Sequence, residues 1–239
     1  MTVAPPPSTA NDLSDIVGIQ RSTPLPERVY DTLEKSIVDG ILRPDMHLVE
    51  DDIARRLGVS RNPVRQALQR LAHEGFVQLQ PGRGAFVHSP SAQEIDDIFH
   101  VRMLLESDCA RLAAERITEA GLQELRGILG LSKAAVEGED AGQLLELNDR
   151  FHGVIIRAAN NPVMERLMIS LRRRNRWYFS SVVVTRATGS WKQHEEIYQA
   201  LCVRDGDACA ALMAVHVGQT LEKIQGQQSS GKFPPIRLE

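Results

Sequence analysis

"GILRPDMHLVEDDIARRLGVSRNPVRQALQRLAHEGFVQLQPGRGAFV", residues 40–87, decides the fold of the first part of this 239-residue chain. Within it, Ile53, Ala54 and Leu57 share the inner face of a short helix over about 50–57. Gly58-Val59 then turns the chain, and Ser60 is the expected cap of a further helix running to about His73. "FVQLQ" alternates as a strand, "PGRG" is a turn and "AFVH" is a second strand, so the helices are followed by a β-hairpin. Upstream, Val29, Leu33 and Ile37 lie four apart, one face of a helix that stops at Gly40, and "ILRPDMHLVE" is a short extended link. Together these elements spell a winged helix-turn-helix over residues 24–90.

Outward from that block the text changes. Residues 1–23 hold three consecutive prolines and no basic stretch followed by an apolar one, which predicts a flexible arm and no leader. From Ser91 onward apolar residues recur at three and four. Six helical segments are predicted, near 91–116, 118–137, 140–159, 161–186, 190–204 and 207–226, with starts at Ser91, Thr118, Asn161 and Asp207. The expected architecture is mainly α: the winged helix-turn-helix, an all-α six-helix bundle over 91–227, and a loose tail over 228–239. Although 42% of residues are hydrophobic, no uncharged run approaches the roughly 18 residues that would span a bilayer, so a soluble chain without membrane contact is expected. Three cysteines (Cys109, Cys202, Cys209), an odd number without CxxC spacing, suit neither a disulfide framework nor a thiolate zinc site and fit a reducing cytoplasm.

The formal net charge of −3 hides a local field. From Arg55 to Arg83 six arginines face one acid, Glu74, a balance of +5, whereas over residues 24–90 nine basic residues meet nine acidic ones. In the helix from Arg61, the residues Val64, Ala67, Leu68 and Leu71 form the inner stripe, leaving Asn62, Arg65, Gln66 and Gln69 outside. Arginine grips guanine, and Asn or Gln grips adenine, with two hydrogen bonds each, so this face suits a major groove. Ser60 and the free amides at the helix start suit a phosphate. The tip Gly82-Arg83-Gly84 lets backbone approach a duplex while Arg83 reaches phosphate or the minor groove.

These residues, above all "GVSRNPVRQAL" and "GRGAFV", resemble the winged helix of the GntR family of regulators. The resemblance implies DNA contacts at Ser60, Arg61, Asn62, Pro63, Arg65, Gly82 and Arg83. Two positions depart from the family pattern: Asp45 stands for the usual glycine after Pro44, altering a turn, and Asp51 stands where some members carry a DNA-touching arginine.

In the second half, Asn148 and His152 are four apart and face one way from one helix, while His194 and His216 sit on two later helices. Three imidazoles and a side-chain oxygen suit a divalent ion such as zinc, nickel or manganese with positions left open for a ligand. Asp149, three before His152, is the alternative oxygen donor. "VRMLLESDCARLAAERIT", "LNDRFHGVIIRAANNPVM" and "QHEEIYQALCVRDGDACAALMAVHV" resemble the FCD domain, the helical sensor of the FadR-type branch, with six helices placing it nearest the VanR-like members. The resemblance puts Arg102, one turn from Glu106, at the pocket-arginine position, where it would clasp a carboxylate. Arg174 in "LMISLRRRNRW" is a second candidate for the acid.

The expected function is therefore a repressor that binds a palindromic operator as a homodimer and is released by a small carboxylic acid at a metal-containing pocket. A metal-dependent hydrolase and a DNA binder with a purely structural helical domain are the alternatives. Against the first, the sequence shows no HExxH, no nucleophile elbow and no identifiable general base placed beside the histidines.

Overall fold

The computed structural model describes residues 24–229; the arm expected over 1–23 and residues 230–239 of the expected tail lie outside the described residues. Helix α1 (Leu25–Val38) buries Val29, Tyr30, Leu33, Ile37 and Val38, the four-residue stripe of the sequence widened by an aromatic. Strand β1 (His47–Leu48) replaces part of the expected extended link. Just before it, Asp45, which stands for the family glycine, holds φ 65°, a left-handed conformation that aspartate tolerates better than most residues.

Helix α2 (Glu50–Leu57) ends at Gly58, whose φ of 66° is nearly free for glycine and costly for other residues. Helix α3 (Arg61–His73) begins three residues later. Strands β2 (Val77–Gln80) and β3 (Gly84–Val87) pair antiparallel, with Val77 opposite Val87 and Gln80 opposite Gly84, and β1 adds to the outer edge of β3. This is the expected winged helix.

The six bundle helices follow: α4 (Ala92–Arg116), α5 (Glu119–Glu137), α6 (Ala141–Ala158), α7 (Pro162–Ser180), α8 (Val183–Cys202) and α9 (Gly206–Ser229). The first four carry side-chain caps on their first-turn amides: Ser91 accepts from Glu94 N, Thr118 from Gly121 N, Asp140 from Gln143 N, and Asn161 from Val163 and Met164 N. The last helix starts earlier than expected, with Asp205 rather than Asp207 accepting from Ala208 N at 2.9 Å, and it runs on to Ser229.

The larger correction concerns the fourth and fifth bundle helices. The sequence places the break near Gly189, yet Gly189 lies inside α8 and the chain bends at Ser181-Val182. Ser180 and Ser181 turn their hydroxyls back onto the carbonyls of Trp177 (2.6 Å) and Tyr178 (2.7 Å). Such local bonds offer the backbone an alternative to the helix ladder and end it. Head and bundle share one continuous buried core, joined where Phe76 meets Trp177 with ring centroids 5.6 Å apart. No described helix is long and apolar enough to cross a membrane.

Candidate DNA interface and metal centre

On α3 the buried stripe of Val64, Ala67, Leu68 and Leu71 leaves Asn62, Arg65, Gln66 and Gln69 exposed. Pro63 does not face outward: its ring is buried in the head, in the first turn where the missing N–H costs no helix bond. Ser60 takes an extended N-cap backbone, but its exposed hydroxyl makes no bond to the helix, so it does not cap α3 as expected. The first-turn amides therefore lack a side-chain cap at the end where a phosphate is favoured. Gly82 and Arg83 are exposed at the wing tip, with the Arg83 guanidinium 5.7 Å from the Phe86 ring centroid. Two acids of α2 neutralise the reading face: Asp51 pairs with Arg61, and Glu50 lies 3.4 Å from Arg65. Exposed pairs of this kind stabilise by about 1 kcal/mol or less and are easily exchanged for phosphate or base contacts.

In the bundle, His152 of α6, His194 of α8 and His216 of α9 are all buried, and their ligand nitrogens lie within 4.8 Å of one another. The Nε2 atoms of His194 and His216 are 3.3 Å apart. Two nitrogens bound at ordinary zinc distance on a tetrahedral centre are separated by about 3.3 Å, so this pair has the spacing of metal ligands. His152 Nε2 and His194 Nδ1 are buried without a hydrogen-bond partner, which in a native core calls for a missing partner. Glu106 Oε2 of α4 lies 2.8 Å from His152 Nδ1, behind that ring, where carboxylates stand behind metal-bound histidines, but without the alignment of a hydrogen bond. The donor set fits a divalent ion. Asn148 is buried one turn before His152, whereas Asp149 points to α7, where its carboxylate binds Arg172 at 2.8 Å, and it is no oxygen donor for the cluster.

The two expected acid-binding arginines are both engaged. Arg102 is buried, donates from Nε to Glu106 (2.8 Å) and from Nη1 to Asn175 Oδ1, and stacks on Phe99. Its charge is thus matched by Glu106. Arg174 leaves the cluster altogether: it pairs with Glu94 and lies against Gly75 of the head, where a Cβ would sit 2.9 Å from its Cζ. Gly75 also has φ 83°, a backbone conformation that favours glycine. Beside it, Arg173 donates to the Tyr30 hydroxyl (2.5 Å) and to Glu74 (3.2 Å), and Tyr30 itself donates to Glu74 (2.5 Å). Glu74 is the C-cap residue of α3. Burial pushes the Tyr30 phenol up, reinforced by its bond to Glu74. Burial also works against the Glu74 carboxylate, but the bonds from Tyr30 and Arg70 and the Arg173 charge outweigh it and hold it below the usual range.

The same balance operates at the histidines. Burial opposes the Glu106 charge, but Arg102 and His152 hold the carboxyl well below its ordinary range. Burial, then the neighbouring imidazoles and Arg186, hold His194 and His216 well below the ordinary histidine value. At neutral pH both states of these two histidines are neutral; below about pH 6.5 the unfolded chain takes up protons that the native pair refuses. Stability therefore falls with acid, and Glu106 adds a second loss once pH drops below the unfolded carboxylate range. The melting temperature of metal-free protein should decline steadily from pH 7 to pH 5 in scanning calorimetry. A flat or rising profile there contradicts the burial of neutral imidazoles.

Comparison with known proteins follows the same division. The family profile "Bacterial regulatory proteins, gntR family" matches residues 25–87, and the profile "FCD domain" matches residues 97–219. The HTH-type transcriptional repressor RspR of Escherichia coli is 31% identical over 206 residues, 84% of this chain and 90% of that protein. The gluconate operon transcriptional repressor of Bacillus subtilis is 30% identical over 210 residues, 83% and 82% of the two chains. The solved structure of E. coli McbR/YncC shares the fold with TM-score 0.75 at 24% identity, covering 87% of this chain and all of that one.

Proposed function

Because the chain belongs to the GntR family of bacterial regulatory proteins and carries an FCD domain, we propose that it represses transcription from a palindromic operator as a cytoplasmic homodimer and lets go when a small carboxylic acid binds beside its three histidines. It is a transcription regulator, like its relatives, and not an enzyme. Asn62, Arg65 and Gln66 read base edges; Ser60, Arg61, Gly82 and Arg83 meet the backbone, with Pro63 shaping the helix start. Two heads set by a two-fold axis engage half-sites about one duplex turn apart.

His152, His194 and His216 would hold a zinc, nickel or manganese ion, with Asn148 beside them. Such an ion supplies a positive centre with open positions for a carboxylate oxygen. The protein supplies the transmission. One observation carries the reading: a continuous line of contacts joins the histidines to the recognition helix. Glu106 touches His152, Arg102 binds Glu106, and Asn175 accepts from Arg102. Asn175 lies on α7, the helix whose Arg173 holds Tyr30 and Glu74 at the end of α3. Any repositioning of His152 thereby reaches the head through a rigid helix. The acid must bind the released arrangement more tightly than the DNA-bound one, or the equilibrium does not move.

The gluconate operon repressor among the relatives makes sugar acids a natural part of the test, beside hydroxy acids, dicarboxylates and aromatic acids. Zinc-loaded protein on DNA from upstream of its own gene should lose operator affinity with at least one acid, and that acid should raise the melting temperature only when metal is bound. Stoichiometric metal together with indifference to every acid would favour a helical domain that is only structural.

A further inference from the structure

A buried charge without an opposite partner stands beside the histidine cluster. Arg186, in the first turn of α8, is 8% exposed, and among the described residues no carboxylate pairs with it. The exposed Glu222 acts on it only from longer range. Its Nη2 donates to Gln193 Oε1 (2.5 Å) and to the His216 carbonyl (3.3 Å), while its Nε is buried without a partner. Gln193 Oε1 also lies 3.2 Å from His216 Nδ1, tying the guanidinium to the cluster. The guanidinium lies beside Gly189, where a Cβ would sit 3.0 Å from Arg186 Nη1.

One turn on, the Ser190 hydroxyl is likewise buried and unpartnered, and one turn further stands His194. Arg186, Ser190 and His194 thus form a polar stripe at i, i+4 and i+8, buried in a bundle whose other inward positions are largely apolar. Buried unmatched donors are costly, more so when charged, and each calls for a partner that completes it. The other buried arginine, Arg102, has its charge matched by Glu106, and Arg174 is held by Glu94.

We infer that Arg186 and Ser190 form the carboxylate-binding half of the effector site, holding the acid group against the histidine cluster. The assignment rests on the acid-sensor reading above and moves the anion-binding role from Arg102 and Arg174 to α8. The guanidinium exchanges Gln193 and the His216 carbonyl for the two carboxylate oxygens, and Ser190 donates a further bond. Ligand binding then breaks the tie between α8 and α9, which is the local event that repositions the histidines.

Acetate and succinate, with acetamide as the neutral control, are titrated into zinc-loaded protein and followed by calorimetry and thermal shift. The wild type should bind at least one acid and ignore acetamide. Arg186→Gln should keep zinc stoichiometry and lose carboxylate affinity about tenfold or more, the value of a charge-assisted bond. Ser190→Ala should leave metal-free stability unchanged or higher, because the hydroxyl has no partner to lose, yet weaken the acid by about two- to tenfold. If Arg186→Gln does not fold, Ser190→Ala carries the judgement. Wild-type carboxylate affinity in the folded, zinc-bound variants overturns the assignment and leaves the acid sensor standing. A zinc-loaded wild type that binds neither acid overturns this assignment, while the sensor reading stands or falls with the wider set of acids.

Discussion

Arg65→Ala should lower operator affinity by about 30-fold to 10⁴-fold while leaving the protein folded. A bidentate arginine contact to a base is worth about 1–3 kcal/mol, and a two-fold operator counts it twice. Little in the free protein opposes so clean a separation of binding from stability. The Arg65 side chain is 55% exposed and its one ion pair, to Glu50, is long and itself partly exposed. Removing it should change stability by no more than about 0.5 kcal/mol. The α3 core below, Val64, Ala67, Leu68 and Leu71, is untouched. Fluorescence anisotropy with operator and scrambled duplexes at one fixed salt concentration separates the two components. Specific affinity should collapse toward the non-specific value, because a base contact carries sequence preference whereas phosphate contacts carry salt dependence. A folded Arg65→Ala protein with wild-type operator affinity would show that α3 is not the reading helix.

Much of the head can be read from the chain because its signals are local. Helices over 50–57 and 61–73 stand where "EDDIARRL" and "RNPVRQALQRLAH" put them, since a glycine turn between two apolar stripes leaves few alternatives. The three histidines were also legible: helical spacing placed Asn148 and His152 on one face, and the bundle brought His194 and His216 to it. Partnership was not legible, because it depends on which helices become neighbours. Asp149 is one residue from the right face and turns to Arg172 instead. Arg174 looks like a free cation in the sequence and meets Glu94 at the head–bundle junction, whereas Arg102 pairs with the Glu106 that stands one turn away on its own helix.

Arg186 was hidden by a misplaced boundary. With the helix break set near Gly189, it reads as a basic residue at a helix C-terminus, a common and uninformative position. With the break at Ser181-Val182, it falls into register with Ser190 and His194. The misleading stretch is the one around Gly189, which lies inside α8 with the Arg186 guanidinium beside it. The informative one was the Ser180-Ser181 pair, whose hydroxyls compete with the helix ladder.

His152→Ala should uncouple sensing from DNA binding. The truncation removes one of three imidazole ligands and should weaken zinc by more than the 10–100-fold typical of losing an outer partner of a metal-bound histidine. Purified variant should then carry well under one metal per chain. The same change removes the imidazole that faces a buried Glu106 oxygen, so folding is checked first by circular dichroism. The junction that holds the head does not include His152: Arg173, Tyr30 and Glu74 keep their bonds, as do Arg174 and Glu94. Operator affinity without acid should therefore stay within about threefold of wild type. What disappears is the response, because the line from His152 through Glu106, Arg102 and Asn175 has lost its first member. Acids that release the wild type should leave the variant on its operator at any concentration that spares a scrambled-DNA control. Full metal content with unchanged release would remove His152 from the metal site and from the path. Loss of metal with release intact would keep the site but route the signal through α8 and α9, by way of Arg186.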